Sequence, residues 1–119
     1  MQIQINTDHN IKGHEALATQ VRGVVESALS HLSDHITRVE VHLSNESSHK
    51  STQNDKRCMM EARLEGRQPI AVTDEEATMV QAVDGAAGKL ARLIESTLGR
   101  QRVEKSHRTD PPPPGSVSN

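Results

Sequence analysis

The segment from Val80 to Arg100 has two opposed stripes when it is wound as an α-helix. The apolar stripe must be buried against another layer of structure, and it consists of Val80, Val83, Ala87, Leu90, Ile94 and Leu98. The other stripe is polar and cationic, and it consists of Lys89, Arg92, Ser96 and Arg100. At about 100° per residue these four positions fall within a sector roughly 80° wide. The fold must therefore cover one side of this helix, while the other side remains free to lie against phosphates.

Two glycines, Gly85 and Gly88, are predicted on the exposed side of the same helix. A glycine inside a helix costs up to ~1 kcal/mol relative to alanine, so two of them weaken the helix. The missing side chains would let a phosphate backbone approach closely, and we hypothesise that glycines and cations form one contact surface. The alternative is an ordinary solvated face, because cations at helical spacing are common on protein surfaces.

The rest of the chain alternates between strand and helix patterns. Residues 1–6, 36–43, 56–65 and 69–72 are predicted strands, and residues 14–32 form a predicted amphipathic helix. A second helix is predicted to begin at residues 73–76, with Thr73 or Asp74 as its cap, and to end near Gly99. This β-α-β-β-β-α order predicts an α+β fold in which consecutive strands form an antiparallel meander. Both helices pack on one face of the four-stranded sheet, and the other face is a mosaic of charges.

Length and composition indicate one small domain. The chain has 119 residues, and we expect a folded domain over 1–103 followed by a disordered proline-rich tail over 104–119. The formal net charge is −2, so any affinity for nucleic acid must come from a local patch. The chain has no Phe, Trp or Tyr, which excludes the stacking of bases on aromatic rings that single-strand binders use.

No pattern for catalysis or for a bound cofactor is present in the sequence. The single cysteine, Cys58, is predicted to point inward from a strand, so it is interpreted as a core residue. His31 and His35 are four residues apart, but Ser33 and Asp34 interrupt the helix between them, and a zinc site would need further ligands. We therefore expect no enzyme activity, metal, cofactor or small-molecule substrate. A cytoplasmic location without membrane association is also expected, since no segment has signal or transmembrane character.

Several short motifs, taken in order, resemble the ribosome hibernation-promoting factor family, which includes ribosome-associated inhibitor A and the sigma-factor modulation proteins. The motifs are Met-Gln-Ile-Gln-Ile at 1–5, Glu-Ala-Leu at 15–17, Val-Glu-Val-His-Leu at 39–43, Ala-Arg-Leu-Glu at 62–65 and the run at 82–92 that ends in Lys-Leu-Ala-Arg. The resemblance implies a β-α-β-β-β-α fold related to double-stranded-RNA-binding domains. On this resemblance, we expect the chain to be a short form of the family.

The resemblance also implies a function and a set of contact residues. Lys89 and Arg92 lie where the family places cations that contact rRNA, and Arg100 and Arg102 extend that row. Family members usually have several cations in helix one, whereas here Arg22 is the only Lys or Arg in the predicted helix. The expected function is binding to rRNA of the small ribosomal subunit, which would occlude the mRNA and tRNA channel in idle or stressed cells. The alternative is a diverged member that binds a regulatory protein, or that forms a weak homodimer through a sheet edge.

Overall fold

A computed structural model describes residues 1–8, 14–45 and 55–109, with side chains described over 1–8, 15–45 and 55–99. Its strands and helices follow the predicted order, which confirms the α+β fold class. They are β1 (Gln2–Thr7), α1 (His14–Leu29), a 3-10 helix (Ser30–His35), β2 (Ile36–Asn45), β3 (Lys56–Leu64), β4 (Ile70–Glu76) and α2 (Met79–Thr109). The polar sequence over 7–13 predicts a turn and that over 45–55 a flexible hairpin loop, and most of both segments (9–13 and 46–54) lies outside the described residues.

The four strands form one sheet in the order β1-β2-β3-β4. β1 pairs with β2 in parallel across the α1 crossover, whereas β2, β3 and β4 form the predicted antiparallel meander. The β3–β4 connection turns at Gly66, whose φ of 73° is in the left-handed region that glycine tolerates at no steric cost. β1 and β4 are therefore the two edges of the sheet.

Both helices pack on the same face of this sheet and enclose an aromatic-free core. Alternate residues of each strand point into it, and the largest fully buried side chains include Leu29, Met60, Leu90 and Ile94. Ala82 and Ala86 of α2 are completely buried, and such small side chains let a helix approach the sheet closely. The opposite face is the predicted charged mosaic, in which Arg38 lies beside Arg63 and Glu40 lies beside Glu61 across the β2–β3 pair.

The predicted start of the second helix is wrong by several residues. Residues 73–76 are the end of β4, and α2 begins at Met79. Thr78 is the cap instead, because its hydroxyl accepts a hydrogen bond of 3.2 Å from the backbone N–H of Gln81. The strand continues through Asp74 because that carboxylate has a partner on α2, which sequence patterns alone do not reveal.

Three other details differ from the predictions. Val80 was assigned to the apolar stripe but is 47% exposed, because it lies at the margin between α1 and α2. α1 ends at Leu29, and the 3-10 helix that follows buries Leu32 before the chain enters β2. α2 continues to Thr109, beyond the predicted end near Gly99, while residues 110–119 lie outside the described residues. The domain boundary after Val103 remains a prediction.

Candidate nucleic-acid interface

The exposed side of α2 presents three of the predicted contact residues as one surface. Lys89, Arg92 and Ser96 are all exposed, and their spacing of three and four residues places them on neighbouring turns of the helix. Arg92 makes no hydrogen bond or ion pair with any described residue, so its guanidinium is available to a ligand. Arg100 and Arg102 belong to the same helix, but their side chains lie outside the described set.

Lys89 differs from Arg92 because its ammonium group is already bonded within the protein. Its Nζ donates to Oδ1 of Asp74 at 2.9 Å and to the backbone oxygen of Thr73 at 3.0 Å. The Lys89 side chain is nevertheless 46% exposed, whereas that of Asp74 is only 10% exposed. Lys89 therefore links α2 to the edge strand β4 while its ammonium still faces solvent.

Asp74 is the one buried charged residue in the part of the chain that the structure describes. It follows Val72 on the inward side of β4, and its Oδ2 atom is buried without a hydrogen-bond partner. The carboxylate fits there because Gly85 of α2 has no side chain. A Cβ atom added at Gly85 would overlap Oδ2 and lie 2.7 Å from Cγ of Asp74.

This contact corrects the predicted environment of Gly85, which faces the Asp74 carboxylate instead of open solvent. Gly88, by contrast, is exposed, and an added Cβ would meet nothing within 4 Å. Of the two glycines, only Gly88 leaves an open surface next to Arg92. A contact between either glycine and RNA stays a prediction.

Two further titratable groups respond to Asp74. The pKa of Glu76 is raised above its ordinary value, chiefly because its protonated carboxyl can donate to Asp74 and its charged form is repelled by that residue, while Lys89 partly opposes the shift. Burial raises the pKa of the Cys58 thiol to about 12, and the charge of Asp74 adds to the effect. Cys58 is fully buried, in agreement with its interpretation as a core residue. We call Asp74, Glu76, Lys89 and Gly85 the Asp74 cluster.

Arg22 of α1 lies away from this cluster, at the other edge of the sheet. It is exposed, and its Nη1 donates to the backbone oxygen of Ile3 in β1 at 3.1 Å. Lys89 and Arg22 therefore have the same structural role: each donates a hydrogen bond to a backbone carbonyl of the edge strand beside its own helix. Charged side chains at sheet edges oppose the addition of another strand.

The described residues contain no group of three or more His, Cys, Asp or Glu side chains that could hold a metal ion. His31 instead lies 2.6 Å from a carboxylate oxygen of Glu95, which joins the 3-10 helix to α2. No described helix combines the length and apolarity needed to span a membrane.

The sequence does not indicate Asp74 as a site residue, because its local pattern predicts a helix cap. The signal that could have found it is the alternation Val72-x-Asp74, which places an acid on the inward face if the strand continues.

The fold and the exposed face of α2 define a small α+β domain whose last helix exposes Lys89, Arg92 and Ser96 on neighbouring turns. Over residues 3–102 the chain matches the model of the family described as sigma 54 modulation protein / S30EA ribosomal protein, and it belongs to that family. The resemblance seen in the sequence motifs is thereby confirmed. A search of curated proteins finds no match to this chain.

Two solved structures share the fold. The N-terminal domain of Protein Y from Thermus thermophilus is 22% identical with a TM-score of 0.59, and the match covers 82% of this chain and 99% of that one. A ribosomal subunit interface protein from Coxiella burnetii is 20% identical with a TM-score of 0.62, and the match covers 83% of this chain and 99% of that one. At such identities these similarities support the fold alone.

Proposed function

We propose that this protein is a non-enzymatic translation inhibitor that binds rRNA of the small ribosomal subunit and occludes the mRNA and tRNA channel. The observation on which the proposal depends is the family match, which spans residues 3–102 and therefore covers α1, all but the first residue of the sheet, and α2 up to residue 102. The name of the similar Coxiella burnetii protein, a ribosomal subunit interface protein, points to the same partner.

The surface proposed to meet the RNA is the exposed side of α2. Arg92 supplies a guanidinium that no described residue pairs with, Ser96 a hydroxyl on the next turn, and Gly88 an open place where a backbone can approach. Arg100 and Arg102 would extend the row along the helix. The recognition is of phosphates and groove shape, because the chain has no aromatic ring on which bases could stack.

Lys89 can join this surface, and Arg22 can contact RNA at the other edge of the sheet, without leaving their partners. An ammonium group has three donors, and Lys89 uses two of them on Asp74 and Thr73. A guanidinium has five donors, and Arg22 uses one of them on Ile3. The remaining donors can bind phosphate, although Asp74 cancels part of the positive charge of Lys89.

Centrifugation of the purified chain with isolated small subunits, large subunits and intact ribosomes tests the proposal. The chain should sediment with small subunits and intact ribosomes and should inhibit a reconstituted translation reaction. Replacing Arg92 by Gln should weaken both effects, whereas Arg63→Gln on the opposite face of the sheet is the matched control. Failure to sediment with any ribosomal particle would contradict the proposal.

A second candidate is a protein-binding regulatory role. It is favoured by the intramolecular bonds of Lys89 and Arg22 and by the net charge of −2, which together leave a smaller cationic surface. Binding to a protein partner would respond weakly to salt, whereas binding to phosphates falls steeply as salt increases. Self-association through β1 or β4 is opposed by the cations at both edges, and sedimentation velocity measures it directly.

A further inference from the structure

A cleft of about 760 Å³ lies where the β3–β4 turn faces the middle of α2. It is lined by Gly66, Arg67, Gln68, Pro69, Ile70 and Thr97. Among the described residues of this lining none is acidic, and Arg67 is the only charged one. The cleft belongs to neither the exposed face of α2 nor the Asp74 cluster.

Arg67 has a guanidinium nitrogen without a partner among the described residues. Its Nη2 atom is buried, and no described residue forms a hydrogen bond with that atom or an ion pair with the side chain. A buried donor of a charged group is costly when it is left unpaired, and an anion bound in the cleft beside the Arg67 side chain would offset that cost. The guanidinium remains protonated at any physiological pH, which makes an anion the complementary ligand.

The turn holds Arg67 in a defined place. Gly66 adopts its left-handed φ of 73°, and the backbone N–H of Arg67 donates to the oxygen of Leu64 at 3.3 Å. The N–H of Glu65 donates to the oxygen of His35 at 3.1 Å, which ties the turn to the end of the 3-10 helix. The guanidinium is therefore presented by a short, bonded turn.

The other polar groups of the cleft have different capacities. The hydroxyl of Thr97 donates to the oxygen of Leu93 at 2.9 Å, so Thr97 has no proton left for an anion. The carboxamide of Gln68 is exposed and can donate to a phosphate or bond a ribose hydroxyl. Pro69 and Ile70 give the cleft an apolar wall, so its chemistry suits an anionic group attached to a less polar body.

We propose that this cleft binds a phosphate of an RNA strand, with Arg67 as the principal contact and Gln68 beside it. The inference rests on the proposed function, because α2 would already lie against rRNA. Thr97 is five residues beyond Arg92, which places it about 140° around the helix and ~7.5 Å along it. The cleft is therefore a second phosphate contact on another flank of α2, and the RNA would hold the domain from two sides.

The first experiment measures binding of the full chain to purified small subunits over a series of salt concentrations. Arg67→Gln should lower affinity about tenfold and reduce the log–log salt slope by about one. Arg67→Lys retains the charge and should retain the slope. Arg63→Gln, a nearby arginine on the opposite face of the sheet, should change neither quantity. If the wild type binds and Arg67→Gln matches it in slope and affinity, the inference is overturned while the proposed function stands.

A second experiment does not depend on the ribosome. The Nε–H resonance of Arg67 is followed by NMR while inorganic phosphate is added, with sodium chloride at matched ionic strength as the control. A saturable shift with phosphate and none with chloride supports the cleft even if the chain binds no ribosomal particle. No shift with phosphate would contradict it.

Discussion

Alanine at Gly85 and alanine at Gly88 should have opposite effects on stability, although both glycines lie in the same helix three residues apart. At Gly88 an added Cβ meets nothing within 4 Å, so the variant gains only helix propensity. That gain is about 1 kcal/mol, which corresponds to a rise of about 4 °C in the melting temperature of a domain this size.

At Gly85 the cost of displacing the Asp74 carboxylate exceeds the same gain in helix propensity. The new Cβ would overlap Oδ2 of Asp74, so the carboxylate must move and its bond of 2.9 Å to Lys89 must break. Because Lys89 is half exposed, that bond contributes only about 1 kcal/mol, but a buried acid left unpaired costs a further ~1–3 kcal/mol. The net expectation is a loss of about 1–3 kcal/mol, and a difference of about 2–4 kcal/mol between the two variants.

Urea and thermal unfolding at neutral pH measure both variants, and far-UV circular dichroism is the suitable signal because the chain has no aromatic residue. The double variant Gly85→Ala with Asp74→Ala tests whether the clash with the carboxylate causes the loss of stability. In the Asp74→Ala background, which lacks that carboxylate, alanine at position 85 should stabilise the domain. The reasoning is refuted if Gly85→Ala is as stable as Gly88→Ala, or if the Asp74→Ala background does not change the sign of its effect.

Three further predictions concern the groups near Asp74 and the start of α2. Because Asp74 raises the pKa of Glu76, the native state binds a proton at Glu76 more tightly than the unfolded state does. The resulting contribution to the free energy of unfolding is present at low pH and is lost as pH rises through the raised pKa. The Glu76→Gln variant should not lose this stability. Between about pH 4 and about pH 7 the urea midpoint of the wild type should therefore fall relative to that of the variant. Midpoints that change in parallel with pH in the two proteins would contradict this prediction. Burial raises the pKa of Cys58 to about 12, so a thiol reagent at neutral pH should label it only after unfolding, and rapid labelling of the native protein would show that the strand is open. Thr78→Ala removes the cap of α2 and should cost about 1 kcal/mol in urea unfolding, whereas Thr78→Ser should cost little; an equal loss in both would contradict capping.

The fold could be predicted from the sequence because its signals are local. Alternation in 36–43 and 56–65, helical periodicity in 14–32 and the turn at Gly66 each require only near neighbours in the chain. The errors occurred where a distant contact decides the structure. Asp74 resembles a helix cap until Lys89 and Gly85, more than ten positions away, supply its partner and its space.

For the candidate site too, the features that depend on local geometry could be predicted and those that depend on distant contacts could not. Helical geometry alone placed Lys89, Arg92 and Ser96 on one exposed surface, as the structure has them. The bonds of Lys89 to β4 and of Arg22 to β1 depend on how the helices lie across the sheet, so sequence spacing could not indicate them. The unpaired nitrogen of Arg67 is likewise visible only once the turn and α2 are packed together.

The salt dependence of binding to purified small ribosomal subunits, compared between the wild type and Arg92→Gln, tests the central claim most directly. If the exposed face of α2 binds rRNA phosphates, the wild-type affinity falls steeply with salt, and the variant loses about one unit of log–log slope. A flat salt response in the wild type, or an unchanged slope in the variant, would contradict the claim that this helix binds the ribosome through phosphates.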